Sequence, residues 1–241
     1  MRIMRLVALT TVLSIVQVAT AQAAPVGNLK QYKVPTANSQ PRAIANGSDG
    51  NMWFTESSDV LPAVIGRITP AGAVTEFPVN CNFCILADIV QGPAGVLYFT
   101  SNNAELGRIT TAGMVQAAIP MPNSSALAGN LASNGNDIWI TDFNNNVVWR
   151  YAISTGVFTQ FVPPTPGSVP FDVAVDNAGT VWFTEFGNNA IGRLNSATGT
   201  ITEIPTTSPP RGIAIATDGQ VWFTSRFAPQ AVGRLDRKSV V

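Results

Sequence analysis

Short apolar runs recur along this chain at near-constant spacing, each ending on threonine and one more polar residue. They read Met52-Trp53-Phe54-Thr55-Glu56, Leu97-Tyr98-Phe99-Thr100-Ser101, Ile138-Trp139-Ile140-Thr141-Asp142, Val181-Trp182-Phe183-Thr184-Glu185 and Val221-Trp222-Phe223-Thr224-Ser225, at separations of 45, 41, 43 and 40 positions. A second phrase keeps step: Ile65-Gly66-Arg67-Ile68, Leu106-Gly107-Arg108-Ile109, Val148-Trp149-Arg150-Tyr151, Ile191-Gly192-Arg193-Leu194 and Val232-Gly233-Arg234-Leu235. A fixed period of this size is the mark of a repeat architecture.

Within the first copy, Ala43-Ile44-Ala45 predicts a short apolar strand, Ser48-Asp49-Gly50 a tight turn, and Met52 to Thr55 a β-branched and aromatic strand. Ile65 to Ile68 predicts a third strand and Val74 to Phe77 a fourth, separated by the Pro70-Ala71-Gly72 turn and closed by Pro78. No segment has helical periodicity. Four short strands per unit, repeating near 41–79, 86–121, 127–163, 170–205 and 210–235, predict an all-β chain folded as a β-propeller, because one blade buries its faces only against its neighbours. A β-solenoid would repeat over far fewer residues. In this reading the strand-two Trp and Phe pack between blades. The repeated Gly-Arg marks a tight strand with a blade-edge arginine rather than five anion sites.

Leu29 to Val34 reads as an orphan outer strand, within 29–35, that would complete the last copy, which stops after its third strand. Residues 24–235 would then be the propeller domain. Past Leu235 the repeat demands a glycine turn, yet the chain reads Asp236-Arg237-Lys238-Ser239-Val240-Val241. Those residues back-translate to GAT CGG AAG AGC GTC GTG, a common sequencing adapter whose next codon is a stop. The expectation is a non-native tail at 236–241 and a natural protein of six or seven blades, of which five repeats are present.

Arg2 and Arg5, the uncharged run from Leu6 to Val18, and Ala21-Gln22-Ala23 form a signal-peptide pattern over residues 1–23, with an apolar core shorter than the roughly 20 residues of a membrane span. A secreted or periplasmic protein is expected. Without Arg2 and Arg5, 12 basic side chains stand against 14 acidic ones, with no run of one sign. Nucleic acid and anionic lipid both need clustered Lys and Arg, so the expected partner of this monomer is a small molecule or peptide at the channel mouth. The two cysteines, Cys81 and Cys84, form a CxxC pair. Export favours a local disulfide; a zinc or redox role is the alternative, although zinc wants more ligands and the chain has no histidine.

Pro41-Arg42-Ala43-Ile44, Asp49-Gly50, Trp53-Phe54-Thr55-Glu56, Ile65-Gly66-Arg67-Ile68 and Val74-Thr75-Glu76-Phe77-Pro78 occur in an order that resembles the streptogramin B lyase (virginiamycin B lyase) family. The likeness to gluconolactonase-like and NHL-repeat propellers is looser. The resemblance spans nearly all of 29–235. It implies seven blades and a lyase that opens the ester of a cyclic depsipeptide antibiotic by elimination. A general base would remove an α-proton while magnesium, held by His and Glu near the axis, steadies the developing charge. The family's histidines sit in a P-H-[AG]-I phrase. Here Arg42, Ala87, Phe171 and Arg211 stand at that position, so no catalytic residue carries over.

In a propeller the innermost strand lines the channel, and the loop after the second strand reaches the same mouth. Arg42, Asp88, Asn130, Asp172 and Arg211 fall on the first, and Glu56, Asp142 and Glu185 precede the second. Arg42, Arg211 and Asp172 are the substrate-binding candidates, the arginines as paired N–H donors to a carboxylate or ester oxygen. Glu56, Asp88 and Glu185 are the candidates for a hard cation such as magnesium or calcium. The plainer reading gives the glutamates turn-capping roles and the arginines acidic neighbours. Three functions fit: a lyase-like enzyme completed by further blades, a non-catalytic propeller binding a peptide, sugar or protein, and a gluconolactonase-like hydrolase.

Overall fold

The computed structural model describes residues 29–57, 63–79, 81, 84–123, 125 and 128–235. The expected signal peptide and C-terminal tail lie outside them. The chain divides into Met1–Tyr32 and Lys33–Val241. Of the first unit, Leu29 is exposed and the Lys30 ammonium lies 4.8 Å from the centre of the Tyr32 ring.

The second unit is all β. Its first sheet comprises β1 (Pro41–Asn46), β2 (Met52–Glu56), β3 (Val64–Ile68) and β4 (Val74–Pro78). The second comprises β5 (Leu86–Gln91), β6 (Val96–Ser101), β7 (Glu105–Thr110) and β8 (Val115–Pro120). β9 (Ala128–Ser133), β10 (Asp137–Asp142), β11 (Val147–Ala152) and β12 (Val157–Phe161) form the third. The fourth holds β13 (Pro170–Val175), β14 (Thr180–Glu185), β15 (Ala190–Asn195) and β16 (Ile201–Pro205), and the fifth β17 (Pro210–Ile215), β18 (Val221–Ser225) and β19 (Ala231–Leu235). Each sheet is antiparallel in chain order, and the inner strands β1, β5, β9, β13 and β17 neighbour one another in that sequence. These are five blades of a β-propeller, not closed into a ring. No helix among the described residues is long and apolar enough to cross a membrane.

One expectation fails. Leu29 to Val34 forms no strand, and among the described residues the fifth sheet has three strands rather than four. A strand-like alternation becomes a strand only where a sheet edge pairs with it.

The recurring phrases have distinct physical causes. Strand-two Phe sits opposite strand-three Gly in four blades, as Phe54–Gly66, Phe99–Gly107, Phe183–Gly192 and Phe223–Gly233. The ring covers the glycine so closely that a Cβ on Gly192 would come within 2.1 Å of Phe183. The third blade has Ile140 opposite Trp149 instead, both members of the pair having changed. In three blades the arginine after the glycine stacks its guanidinium on the strand-two Trp directly across the ladder, at 5.5 Å for Arg67 on Trp53 and 5.7 Å for Arg193 on Trp182 and Arg234 on Trp222, whereas Arg108 in the second blade donates to the Ala117 carbonyl.

Threonine joins the blades. Each inner strand shifts register against its partner near its start, a bulge that leaves a backbone N–H without a ladder bond. Strand-two Thr repairs it: Ala43, Asp88, Asn130, Asp172 and Gly212 donate to Thr55, Thr100, Thr141, Thr184 and Thr224 at 2.9–3.2 Å. The same hydroxyls donate onward to the next blade, from Thr100 to the Gly129 carbonyl, Thr141 to Phe171 and Thr184 to Arg211, at 2.7–3.0 Å.

Replacing Thr184 by Val leaves one buried donor and one buried acceptor unmet, and is expected to cost about 2 kcal/mol in urea unfolding. Thr224→Val, where the side chain is exposed and no onward bond exists among the described residues, is expected to cost well under half of that. Gly192→Ala should destabilise by about 2 kcal/mol or more through overpacking, and adding Phe183→Ile should recover part of the loss.

Candidate functional site

At the mouth, Arg42 from β1 and Arg211 from β17 line one cavity of about 200 Å³ with Ile85, Ala87, Asn102, Asn130, Phe143 and Phe171. The Arg211 guanidinium lies 4.4 Å from the centre of the Phe171 ring, which holds the planar fork over an apolar floor and leaves its edge free to donate. Phe171 also meets Phe186, and Phe186 meets Phe227, extending an aromatic row from the fourth blade to the fifth. The sequence reading placed both arginines and Asn130 here and missed Phe143 and Phe186. Both follow directly on the residue after the Trp-x-Thr phrase, and that position was the available signal.

The acids behave differently. Asp88 accepts from Leu131 N–H in the next blade at 2.7 Å, and Asp172 from Ile213 N–H at 2.8 Å and Asn130 Nδ2 at 2.8 Å. Each also accepts from the N–H of the residue that follows it. Burial pushes the Asp88 carboxyl up to about 6 even though these N–H groups pull the other way, and burial raises Asp172 as well. Asp172, a substrate-binding candidate by sequence, thus spends its oxygens on blade-to-blade bonds. Asp88, a cation candidate, does the same.

Glu56 and Glu185 are not brought together. Each lies in its own blade, 1% and 0% exposed, and none of their four carboxylate oxygens has a hydrogen-bond partner. Desolvation raises Glu56. It pushes Glu185 up to about 7, assisted by the Glu203 carboxylate and tempered by the Asn188 side chain beside it. Asp142, at the equivalent position of the third blade, is fully supplied by Asn145 N–H, Asn145 Nδ2 and Trp149 Nε1. Cys81 and Cys84 are joined as a disulfide.

A magnesium site at the mouth would need several convergent oxygen ligands. Among the described residues no three of His, Cys, Asp and Glu gather to hold a metal, and the only acids of the inner strands, Asp88 and Asp172, are already engaged. The residues present at the mouth do not fit that ion.

Glu185 makes stability depend on pH. Its folded value lies above the ordinary 4.5, so between pH 4.5 and about 7 the folded state keeps a proton that the unfolded chain has released. Its favourable contribution is complete at the acid end and is lost as pH rises through 7. Glu185→Gln is expected to remove this slope and to raise stability above pH 7 by about 2 kcal/mol. Denaturant melts across that range check it.

A sequence profile of the virginiamycin B lyase family matches residues 13–237. The fold superposes on virginiamycin B lyase from Staphylococcus aureus with a TM-score of 0.80 at 30% identity, covering 88% of this chain and 72% of that one. A catalytically inactive histidine-to-alanine variant of the same enzyme, with quinupristin, matches with a TM-score of 0.80 at 29% identity, over the same shares of the two chains. A streptogramin B lyase structure matches with a TM-score of 0.77 at 31% identity, covering 87% and 69%. No curated protein matches by sequence. Profile, fold and identity agree over most of the described residues, and the chain belongs to the virginiamycin B lyase family.

Proposed function

We propose that the mouth of this propeller is the ligand-holding part of a streptogramin-lyase-like site, and that it takes an ester-bearing cyclic peptide with aromatic side chains. The observation that carries this reading is the shared cavity of Arg42 and Arg211 floored by Phe171. Two guanidinium forks above phenylalanine rings offer N–H donors to ester or carboxylate oxygens and stacking surface to apolar substituents. At about 200 Å³ the cavity is smaller than a typical drug-sized site, so it seats one ester or side chain while the rest of the ring lies over the mouth.

Elimination needs a base able to accept an α-proton. The chain has no histidine, and the acids of the inner strands are held by backbone donors. In this proposal the described residues bind and orient, and the base comes from further blades. The faces of the end blades support that. Val232 is 70% exposed where its counterparts Ile65, Leu106, Val148 and Ile191 are 0%, and Ile44 is 61% exposed where Ile89 is 3%. Export, suited to an extracellular peptide ligand, rests on the signal-peptide pattern of residues 1–23. The second reading, a binding propeller without chemistry, is favoured by the missing histidine alone.

Titration of the chain with quinupristin, followed by calorimetry and by mass spectrometry of the ligand, separates these readings. Binding without ring opening is expected, with Arg42→Ala and Arg211→Ala each weakening it about tenfold. Absence of binding, or binding indifferent to both arginines, would remove the proposed ligand class. Ring opening by this chain would show that the base lies within it.

A further inference from the structure

In each blade a short loop leads into the inner strand, and so into the mouth, and side chains clasp that loop. In the first blade Thr36 donates to Glu76 of β4 through its N–H at 2.8 Å and its Oγ1 at 2.7 Å. The fourth repeats this, with Thr165 donating to Glu203 of β16 at 2.9 and 2.6 Å. In the third, Asn144 Nδ2 donates to the Ser125 carbonyl at 3.4 Å, and Ser125 Oγ donates to Asn145 Oδ1 at 3.2 Å. In the fifth, Ser208 Oγ donates to the Pro229 carbonyl at 3.0 Å.

The second blade lacks both halves of the first blade's clasp. An offset of 45 positions puts Cys81 at the place of Thr36 and Cys84 at that of Ser39. Glu76 lies opposite Gly66, whereas Gly107 faces the bulged pair Ala117 and Ala118, neither of which has a side chain that accepts a hydrogen bond. The Cys81–Cys84 disulfide stands there instead, closing the loop on itself and so restricting the conformations open to Cys84 and the residue after it. Without the acid a cavity of about 290 Å³ is left, lined by Cys81, Cys84, Phe99, Ser101 and Ala117. That cavity gives a small thiol a way to the sulfur atoms.

The residue after Cys84 belongs to the mouth. Ile85 donates its N–H to Asn102 Oδ1 at 2.7 Å, and its carbonyl accepts from Asn102 N–H at 3.2 Å. Ile85 and Asn102 both line the cavity shared by Arg42 and Arg211. The carbonyl bond recurs at the loops clasped by Thr and Glu, where Ser57 N–H donates to Gln40 and Phe186 N–H to Val169, each at 3.1 Å.

We propose that the Cys81–Cys84 disulfide is a reducible clasp that holds the second-blade wall of the mouth, Ile85 and Asn102, in its ligand-holding position. A dithiol reductant supplies two electrons and two protons and becomes a cyclic disulfide, while the S–S bond becomes the two thiols of Cys81 and Cys84. The mouth then holds its ligand under oxidising conditions and loosens under reducing ones. The ligand part of this inference rests on the proposed function of the mouth; the wall part does not.

The test is amide hydrogen exchange of the full chain before and after dithiothreitol, read at Ile85 and Asn102 and, for comparison, at Val169 and Phe186, whose loop Thr165 and Glu203 clasp. Reduction is expected to speed exchange at the first pair about tenfold and to leave the second pair unchanged. Cys81→Ser with Cys84→Ser should reproduce the reduced state without reductant. Cys81→Thr, Cys84→Ser and Ala117→Glu together should rebuild the Thr–Glu clasp and restore slow exchange that dithiothreitol no longer alters. Quinupristin affinity, by calorimetry, should fall several-fold on reduction of the unaltered chain. Unchanged exchange at Ile85 and Asn102, or an equal rise at Val169 and Phe186, overturns the proposal, as does equal quinupristin affinity in the two states. If the oxidised chain binds no quinupristin, the ligand reading of the mouth fails, and the exchange rates alone decide whether the disulfide is the clasp.

Discussion

The threonine in the second strand of every blade is the contact on which the rest of the molecule depends. It satisfies the N–H that the inner-strand bulge leaves unpaired, and in the second, third and fourth blades it binds the carbonyl of the blade that follows. One hydroxyl thereby fixes both the bend of its own blade and the distance to the next. The bulge aims the first residues of the inner strand at the mouth, so the position of Arg42, Phe171 and Arg211 is a consequence of this repair.

Packing between blades follows from the same geometry. The strand-two aromatic of one blade lies on the apolar face of the next, as Trp53 does against Leu86, Ile89 and Leu97, and Trp139 against Val173 and Val181. Because each face needs a neighbour, the blades at the two ends differ from those between them. Trp222 is 39% exposed, whereas Trp53, Trp139 and Trp182 are at most 2% exposed. Burial of aromatic and aliphatic side chains at this scale is worth a few kcal/mol per residue, so the inner interfaces carry most of the cooperative stability.

Acidic residues divide according to what surrounds them. Asp88, Asp142 and Asp172 are met by backbone or side-chain donors and serve as struts. Glu56 and Glu185 are buried away from the backbone donors that meet the aspartates. The chemical capacity of the described residues therefore lies at the arginine and phenylalanine mouth, whose N–H donors and rings suit an acyl ligand.

Much of this was legible in the sequence. The period, the four strands per unit and the propeller followed from the Trp-x-Thr and Gly-Arg phrases, because a short strand pattern repeated without helix leaves few ways to bury both faces of a sheet. The mouth arginines were legible for the same reason, since the repeat fixes which residues begin the inner strands. The sequence could not say that Leu29 to Val34 would remain unpaired, because strand formation requires an edge to pair with. Nor could it show that Asp88 and Asp172 would be consumed by N–H groups of the next blade, or that Glu56 and Glu185 would not be. The residue types are alike; the difference lies in the donors that neighbouring backbone brings within reach, and those are set only when the blades stack.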